Sequence, residues 1–230
     1  MKINCIIDNV KFKSKPQSND TGAIINRMKI NTAKEYSIEA IQDSILDGKT
    51  VRPSYCGASE GDWQSQQMFM IDIDNDPIKP KGMTKKEFEL LCQEYSKTKH
   101  RTYDDVIKHC QDIGIIPNFI YTSFNHKPEH HKMRLVFILD NNIVDKDIAK
   151  KIQLYIMSIM GDVDERCKNL NRIYYAGRDI VFDSGNILDA DRLIELSKEI
   201  KLDEKTKKKD GQGVFGVLDN NDIHNTPLFI

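Results

Sequence analysis

The stretch MFMIDIDND, residues 68–76, runs an apolar segment directly into three aspartates. Such a segment predicts a buried β-strand, in which alternate side chains point to the same face. Asp72 and Asp74 then project together, about 6.5–7 Å apart along the chain, while the flanking isoleucines enter the core. Two unpaired carboxylates repel each other and resist desolvation, and a divalent cation with oxygen ligands reverses that cost. The stretch therefore predicts a metal site at the end of a strand.

The same stretch has a simpler interpretation. In it the strand ends at Ile71, and the aspartates are solvated turn residues beside Asn75 and Pro77. The motif alone leaves both interpretations open. Under the first, removing the two repelling carboxylates of Asp72 and Asp74 is expected to leave the stability of the metal-free protein unchanged or raised.

Composition limits the class of protein. A chain of 230 residues, 39% of them apolar, can bury one sizeable core or two small cores that share an interface. The 34 basic and 35 acidic residues nearly cancel, so a nucleic-acid partner requires locally clustered charge. No run approaches the roughly 18 apolar residues of a membrane helix, and the N-terminus lacks a signal-peptide cleavage site. Five cysteines without a CxxC pair argue against disulfides and a zinc knuckle. We expect a cytoplasmic protein without membrane contact.

Apolar periodicity and turn residues predict a mixed α/β (α+β) fold. The predicted strands cover residues 4–12, 66–74, 118–124, 133–140, 172–177 and 180–183. The predicted helices cover residues 33–49, 85–97, 102–114, 145–160 and 190–200. Thr84 is the expected cap of the second helix, and Gly114 is the expected stop of the third. In the first helix, one face carries four apolar residues, Ile38, Ile41, Ile45 and Leu46.

A second group of polar residues lies in YTSFNHKPEHHKMRLVF, residues 121–137. A strand that ends at Ser123 delivers a hydroxyl, His126 follows, and Arg134 comes one strand later. These neutral and cationic donors suit phosphate oxygens. Alternatively, His126 is a surface histidine whose neighbours His130 and His131 bind adventitious metal, and the tract before Arg134 is a solvated hairpin.

A third group lies in GDVDERCKNLNRIYYAG, residues 161–177, where Asp164 stands eight residues before Arg172 and an aromatic strand follows. Either Asp162 or Asp164 is a candidate third carboxylate for the metal site. The alternative for both is an ordinary role in a loop or at a helix end.

In this order, the three groups resemble the motifs of the archaeo-eukaryotic primase superfamily, and more narrowly the primase-polymerase domains of phages, plasmids and mobile elements. Those domains read DxDN, then TxSH before RxVF, then DxxxxxxxRxxY. The corresponding residues here are DIDN at 72–75, TSFNH at 122–126 before MRLVF, and DERCKNLNRIYY from 164. One departure is that Ser123 stands three residues before His126, with Asn125 directly before the histidine.

The resemblance implies an RRM-like sheet packed against a second α/β unit, with the active-site cleft between them. It implies that Asp72, Asp74 and Asp164 are catalytic residues that bind Mg²⁺ or Mn²⁺. Asp164 is preferred to Asp162 because its spacing to Arg172 matches the family pattern. The residues implied to contact the triphosphate of the nucleotide are Ser123, His126, Arg134 and Arg172.

The implied activity is template-directed nucleotidyl transfer by a DNA primase or DNA polymerase, in which a 3′ hydroxyl attacks the α-phosphate of an NTP or dNTP. Contacts to a single-stranded DNA template are expected from two basic loops, KTKHR at 97–101 and HKPEHHK at 126–132. Two alternatives remain: a metal-dependent nuclease, and a non-catalytic nucleic-acid-binding module of replication initiation. The motifs leave open the choice between ribo- and deoxyribonucleotides and between priming and extension.

The expected domain covers residues 1–200, with its motif-bearing core at about 35–185. The run DEKTKKKDGQG, residues 203–213, is typical of a solvated linker, and the segment after it is too short for a domain. We interpret residues 201–230 as a charged linker and tail that lead toward a further domain in a longer protein, commonly a helicase in this family.

Overall fold

The computed structural model describes residues 1–77 and 80–202. Within it, Met1–Ile200 form one compact unit. The predicted linker over residues 203–213 and the tail after it lie outside the described residues.

The mixed α/β fold is confirmed, with antiparallel sheets and six α-helices among the described residues. The strands are β1 (Lys2–Lys11), β2 (Lys34–Ser37), β3 (Lys49–Arg52), β4 (Ser54–Tyr55), β5 (Ser65–Ile73), β6 (Phe119–Ser123), β7 (Met133–Ile143) and β8 (Gly177–Asp183). The helices are α1 (Ser18–Arg27), α2 (Ile38–Leu46), α3 (Lys85–Thr98), α4 (Tyr103–Asp112), α5 (Lys146–Met160) and α6 (Ala190–Ser197).

The main sheet contains five strands in the order β4-β5-β7-β6-β8. Along the chain, β5, α3 with α4, β6, β7, α5 and β8 follow the βαββαβ order that is typical of ferredoxin-like and RRM-like units. The interior strand β5, between β4 and β7, is buried on both faces, which explains why it appears in the sequence as a continuous apolar run. This sheet fixes where β5 ends, and therefore where its aspartates lie.

A second, N-terminal sheet has the order β2-β1-β3 and carries α1 and α2. Helix α2 buries Ile41 and Ile45, whereas Leu46, predicted to lie on the same face, is 45% exposed. Helix α1 was not predicted, and its last turn is held to β1 by a salt bridge of 2.6 Å between Arg27 and the buried carboxylate of Asp8.

The predicted helix over residues 33–49 is wrong in its first part. Residues 34–37 form β2, which pairs with β1 from Lys2↔Ser37 to Cys5↔Lys34. Ser37 then caps α2, since its hydroxyl accepts a hydrogen bond of 3.2 Å from Ala40 N. Strand pairing with a distant segment has therefore overridden the local helical periodicity.

The predicted strand over residues 172–177 is also wrong. Its one bridge pairs Tyr174 with Val51 of β3, and β8 begins only at Gly177. The Tyr174 hydroxyl donates a hydrogen bond of 2.7 Å to Met70 O of β5. This segment, which we call the crossing segment (residues 172–176), contacts strands of both sheets.

Two local signals, the cap of α3 and the glycine after α4, are confirmed. Thr84 caps α3, since its hydroxyl accepts a hydrogen bond of 3.3 Å from Glu87 N, and Gly114 has a positive φ just after α4. All five cysteines are free thiols. Among the described residues, no helix is both long enough and apolar enough to span a membrane.

Candidate active site

A cleft of about 310 Å³ lies beside the end of β5, within the range of about 300–1,000 Å³ that is typical of small-ligand sites. One wall comes from the connection between β1 and α1, and the other comes from the main sheet and the crossing segment. The lining residues are Lys15, Pro16, Ser18, Thr21, Asp72, Asp74, Ser123, Phe124, Asn125, Arg134, Asp164, Arg166, Arg172, Ile173 and Tyr175.

Three carboxylates meet in this cleft. Asp72, Asp74 and Asp164 each offer an oxygen within 4.8 Å of the others, and they are the one group of potential metal ligands this close among the described residues. The predicted convergence of Asp72 and Asp74 is therefore confirmed, although β5 ends at Ile73 and Asp74 lies in the loop after it. The alternative that both are solvated turn residues is wrong for Asp72, which is buried at the penultimate position of β5. The histidines of residues 126–131 form no comparable cluster.

Main-chain contacts explain why Asp164 joins the cluster. Asp164 N donates a hydrogen bond of 2.9 Å to Asp72 O, and Asp72 N donates one of 3.3 Å to Cys167 Sγ. Asp164 also caps the 3₁₀ helix Glu165–Lys168, so its capping role and its place in the cluster are compatible. Asp162 instead accepts a hydrogen bond of 3.1 Å from the Tyr95 hydroxyl, outside the cluster.

Two arginines, the buried Arg134 and the half-buried Arg172, neutralise the cluster. Arg134 lies opposite Asp72 in the β5–β7 register, with Nε 3.3 Å from Asp72 Oδ1. Arg172 Nη2 lies 3.0 Å from Asp72 Oδ2 and 2.8 Å from Asp164 Oδ2. Burial opposes both charges, but the surrounding groups, Asp72 among them, raise the pKa of both guanidiniums. The arginines that the resemblance assigns to phosphate are paired with carboxylates in this structure.

These pairs correct the expectation about stability. It assumed that Asp72 and Asp74 are both unpaired, and this premise is wrong for Asp72. Removing Asp72 leaves the buried Arg134 and the half-buried Arg172 without a shared counter-ion, which costs free energy of folding. The premise holds better for Asp74, whose nearest cation among the described residues, Lys132 Nζ, lies 3.8 Å away.

Two of the three carboxyl groups, Asp74 and Asp164, have pKa values shifted in opposite directions. For Asp74, burial and then the charge of Asp72 raise the pKa. For Asp164, burial acts in the same direction, but the hydrogen bond and charge of Arg172 outweigh it and lower the pKa. The site thus holds a carboxyl group that resists ionisation beside one that ionises readily.

The residues present fit a divalent metal ion. Three carboxylates provide the hard oxygen ligands that Mg²⁺ and Mn²⁺ prefer. Asp72 Oδ1 is buried and has no hydrogen-bond partner, since Arg134 Nε approaches it without hydrogen-bond geometry. A buried carboxylate oxygen without a partner is costly unless a ligand satisfies it.

The loop after β5 is fixed by Asn75, which the sequence identified only as a turn residue. Its φ of 53° lies in the left-handed region, where asparagine is among the tolerated residues. Its amide donates hydrogen bonds of 2.8 Å to Arg101 O and 2.7 Å to His131 O, and its Oδ1 accepts one of 3.0 Å from Arg101 N. Asn75 therefore holds the loop of Asp74 against both predicted basic loops.

Of the predicted phosphate contacts, Ser123 lines the cleft at the end of β6, together with Asn125. His126 is not among the cleft-lining residues of the described chain. Its Nδ1 accepts a hydrogen bond of 3.2 Å from Lys132 N, and its ring centroid lies 4.9 Å from that of His131. Burial lowers the pKa of His126. Its role as a nucleotide contact stays a prediction.

The basic loops contain two kinds of residue. Lys97, Lys99 and Lys127 are exposed. Arg101 donates hydrogen bonds to the carbonyls of Met160 and Asp162, so it holds the fold together. Lys132 pairs with Asp76, and His130 Nε2 lies 3.1 Å from the same carboxylate. Within the described part of the chain, the lysines and arginines of these loops that neither an ion pair nor a hydrogen bond holds are therefore the three exposed lysines, and template binding by the loops stays a prediction.

Sequence reasoning missed the opposite wall of the cleft. Lys15, Ser18 and Thr21 line it, and Thr21 Oγ1 lies 2.7 Å from the Tyr175 hydroxyl, which connects this wall to the crossing segment. The polar run of residues 17–20 is typical of a helix start and is the signal that points to α1. No local signal indicated that α1 faces Asp72.

Comparison with solved structures finds a similarity to the AEP domain (PP-N190) of the cyanophage S-2L primase-polymerase, PrimPol. The TM-score is 0.45 at 12% identity, and the alignment covers 84% of this chain and 88% of that chain. That domain belongs to the archaeo-eukaryotic primase (AEP) class. No family model matches the sequence, and no curated protein matches it.

Proposed function

We propose that the chain is a template-directed nucleotidyltransferase, a DNA primase or DNA polymerase that acts in the replication of a phage, plasmid or mobile element. The observation that carries this proposal is the convergence of Asp72, Asp74 and Asp164 within 4.8 Å of one another, in a cleft that is also lined by hydroxyl and cationic groups. Carboxylate clusters beside phosphate-binding donors are the chemistry that nucleotidyl transfer requires.

Asp72, Asp74 and Asp164 would hold Mg²⁺ or Mn²⁺. When bound, the metal supplies the positive charge that activates a 3′ hydroxyl and neutralises a leaving pyrophosphate. Arg134 orients the carboxylate of Asp72. Its Nη1 donates a hydrogen bond of 2.7 Å to Tyr175 O, so its guanidinium is held from the side opposite Asp72.

The remaining cleft residues would bind the nucleotide. Ser123 and Asn125 on one wall, and Lys15 with Thr21 on the other, provide donors for phosphate and sugar oxygens. The substrate would be an NTP or dNTP. Exposed Lys97, Lys99 and Lys127 would contact the phosphates of a single-stranded template, and a helicase would act as partner in replication.

The test is incorporation of labelled nucleotides on a single-stranded template, with and without a primer, in Mg²⁺ or Mn²⁺. Asp164→Asn should reduce incorporation by at least about a hundredfold, because several kcal/mol of charge stabilisation depend on the metal. The matched control is Asp162→Asn, which changes the same side chain two residues away, outside the cluster, and should retain near wild-type incorporation.

Other outcomes would contradict the proposal. Degradation of the template without added nucleotides, stopped by Asp164→Asn, would indicate a nuclease. Template binding that survives EDTA, with no incorporation under any condition, would indicate a non-catalytic module.

A further inference from the structure

Arg172 occupies an unusual position in the cleft. A single nitrogen, Nη2, bridges two of the three clustered carboxylates, at 3.0 Å from Asp72 Oδ2 and 2.8 Å from Asp164 Oδ2. The guanidinium therefore contacts two of the three carboxylates that a metal ion would bind. Its side chain is 15% exposed and lines the cleft, so a path toward solvent is open.

Most of the hydrogen-bonding capacity of Arg172 is unused. A guanidinium offers five N–H donors, and a favourable carboxylate pair uses two nitrogens in parallel. Here Nε and Nη1 are buried without a hydrogen-bond partner. The ring of Tyr174 lies 5.1 Å from the guanidinium carbon and offers a cation–π contact. Arg172 is thus a poorly satisfied counter-ion.

Arg134 is held differently. Besides facing Asp72, it donates hydrogen bonds to the carbonyls of Tyr175 and Ala176, so the backbone fixes it whatever happens to the carboxylates. Within the described residues, the side-chain hydrogen bonds of Arg172 both go to carboxylates. A cation that binds those carboxylates would remove the partners of Arg172 but leave Arg134 in place.

A divalent cation bound by these carboxylates would lie close to the guanidinium, and two positive charges about 4 Å apart repel by several kcal/mol in a partly buried site. We propose that Arg172 is a replaceable counter-ion, which neutralises Asp72 and Asp164 in the metal-free protein and is displaced into the cleft when a divalent cation binds them. The displaced guanidinium then presents its donors to the phosphates of the substrate. This inference rests on the proposed function, because it concerns the metal site of that reaction.

The first experiment is calorimetric titration of the full chain with Mn²⁺ alone. Arg172→Gln should lower the Kd for Mn²⁺ by at least about tenfold, because close charge pairs are coupled by more than about 1.4 kcal/mol. The matched control is Arg166→Gln, which removes the same charge from the cleft lining without a side-chain hydrogen bond to the cluster. It should change the Kd by less than about threefold.

A second measurement uses the wild-type chain and does not depend on the folding of a variant. In a crystal structure with Mn²⁺, the Arg172 guanidinium should have left hydrogen-bonding distance of Asp164, while Arg134 keeps its bond to Tyr175 O. An unchanged or weaker Mn²⁺ affinity in Arg172→Gln, equal effects of the two substitutions, or Arg172 still bound to both carboxylates beside the metal would overturn the inference.

A further assay identifies the phosphate that Arg172 meets. With saturating Mn²⁺, Arg172→Gln should weaken dNTP binding and leave binding of a single-stranded oligonucleotide unchanged; the reverse would overturn the nucleotide assignment.

The proposed function and the role of Arg172 can fail separately. If Arg172→Gln leaves the affinity for Mn²⁺ unchanged, the displacement of Arg172 is wrong but nucleotidyl transfer still stands. If Mn²⁺ displaces Arg172 but no nucleotide is incorporated, the proposed function alone is wrong. A wild-type chain that binds no Mn²⁺ contradicts both.

Discussion

Asp72 and Asp74 stand two residues apart, yet they lie in two different environments. Asp72 is near the end of a paired strand, where its side chain is 5% exposed and faces Arg134 and Arg172. Asp74 lies in the loop beyond that strand, where its side chain is 40% exposed and Lys132 Nζ is 3.8 Å away. The end of a strand and the loop that follows it thus place two identical side chains in different electrostatic environments.

The two aspartates differ in whether they support the fold as well as offering an oxygen to a ligand. Asp72 does both, because its charge neutralises buried guanidiniums and its unpartnered Oδ1 is available to a metal. Asp74 in its charged form opposes folding, since burial and the charge of Asp72 raise its pKa. A carboxyl group in a cleft whose pKa is raised by its surroundings is typical of a functional site.

The largest effect is expected for Asp72→Asn. In EDTA, this substitution should lower the free energy of unfolding by about 3 kcal/mol, near the lower end for breaking a buried ion pair. The lower end applies because Arg134 keeps its bonds to the backbone and Arg172 keeps Asp164. Urea denaturation measures the change.

Asp74→Asn is the control for this prediction. It should leave the free energy of unfolding unchanged within about 0.5 kcal/mol, or raise it. Equal losses for the two variants would show that the two environments do not differ as described.

Asn75 connects the two environments, and its replacement should have the next largest effect. Asn75→Ala should lower the free energy of unfolding by about 2 kcal/mol, because it leaves the buried carbonyls of Arg101 and His131 without their donor. It also places alanine at a φ of 53°. Urea denaturation in EDTA measures this loss.

Asn75→Gly separates the two causes, because glycine accepts that φ but loses the same hydrogen bonds. It should be more stable than the alanine variant by about 1 kcal/mol. Equal stabilities would rule out a contribution from backbone strain.

The pH dependence of stability should have opposite signs for Asp74 and Asp164. Asp74 has a raised pKa, so the folded protein holds a proton that the unfolded chain has lost. As pH rises from the ordinary value of 3.8 through the raised one, the wild type should lose stability relative to Asp74→Asn. Asp164 has a lowered pKa, so its contribution is present above 3.8 and lost as pH falls through the lowered value.

Unfolding in EDTA between about pH 3 and pH 7 measures both effects. The wild type should lose its advantage over Asp164→Asn only in acid. Stability curves of the three proteins that run parallel throughout this range would refute the assignment of the two shifts.

The smallest effect is expected for His126→Ala. If the histidine contacts the nucleotide, its removal should raise the Kd for a dNTP by about threefold, as for one neutral hydrogen bond. Template binding should not change. Equal losses for nucleotide and template would assign this loop to general nucleic-acid binding, and Ser123→Ala provides the comparison with a residue that lines the cleft.

Much of the main sheet was predictable from local patterns. The apolar runs of β5, β6 and β7 and the cap of α3 depend on residues within a few positions of one another. The crossing segment was mistaken for a strand, because Tyr174 and Tyr175 have strand propensity. Its actual partners, Val51 and Met70, come from two different parts of the chain. The wall formed by Lys15 and α1 was missed for the same reason.

The sequence by itself determined that a buried strand would end in two carboxylates, that a third would follow, and that donors suited to phosphate would lie between them. Only the tertiary structure decided which charges meet. Asp72 contacts Arg134 across 62 positions of the chain and Arg172 across 100. Contacts over such distances depend on the strand register and on the path of the crossing segment, neither of which a local pattern specifies. The burial that makes these pairs strong is likewise a property of the assembled sheets and not of any single segment.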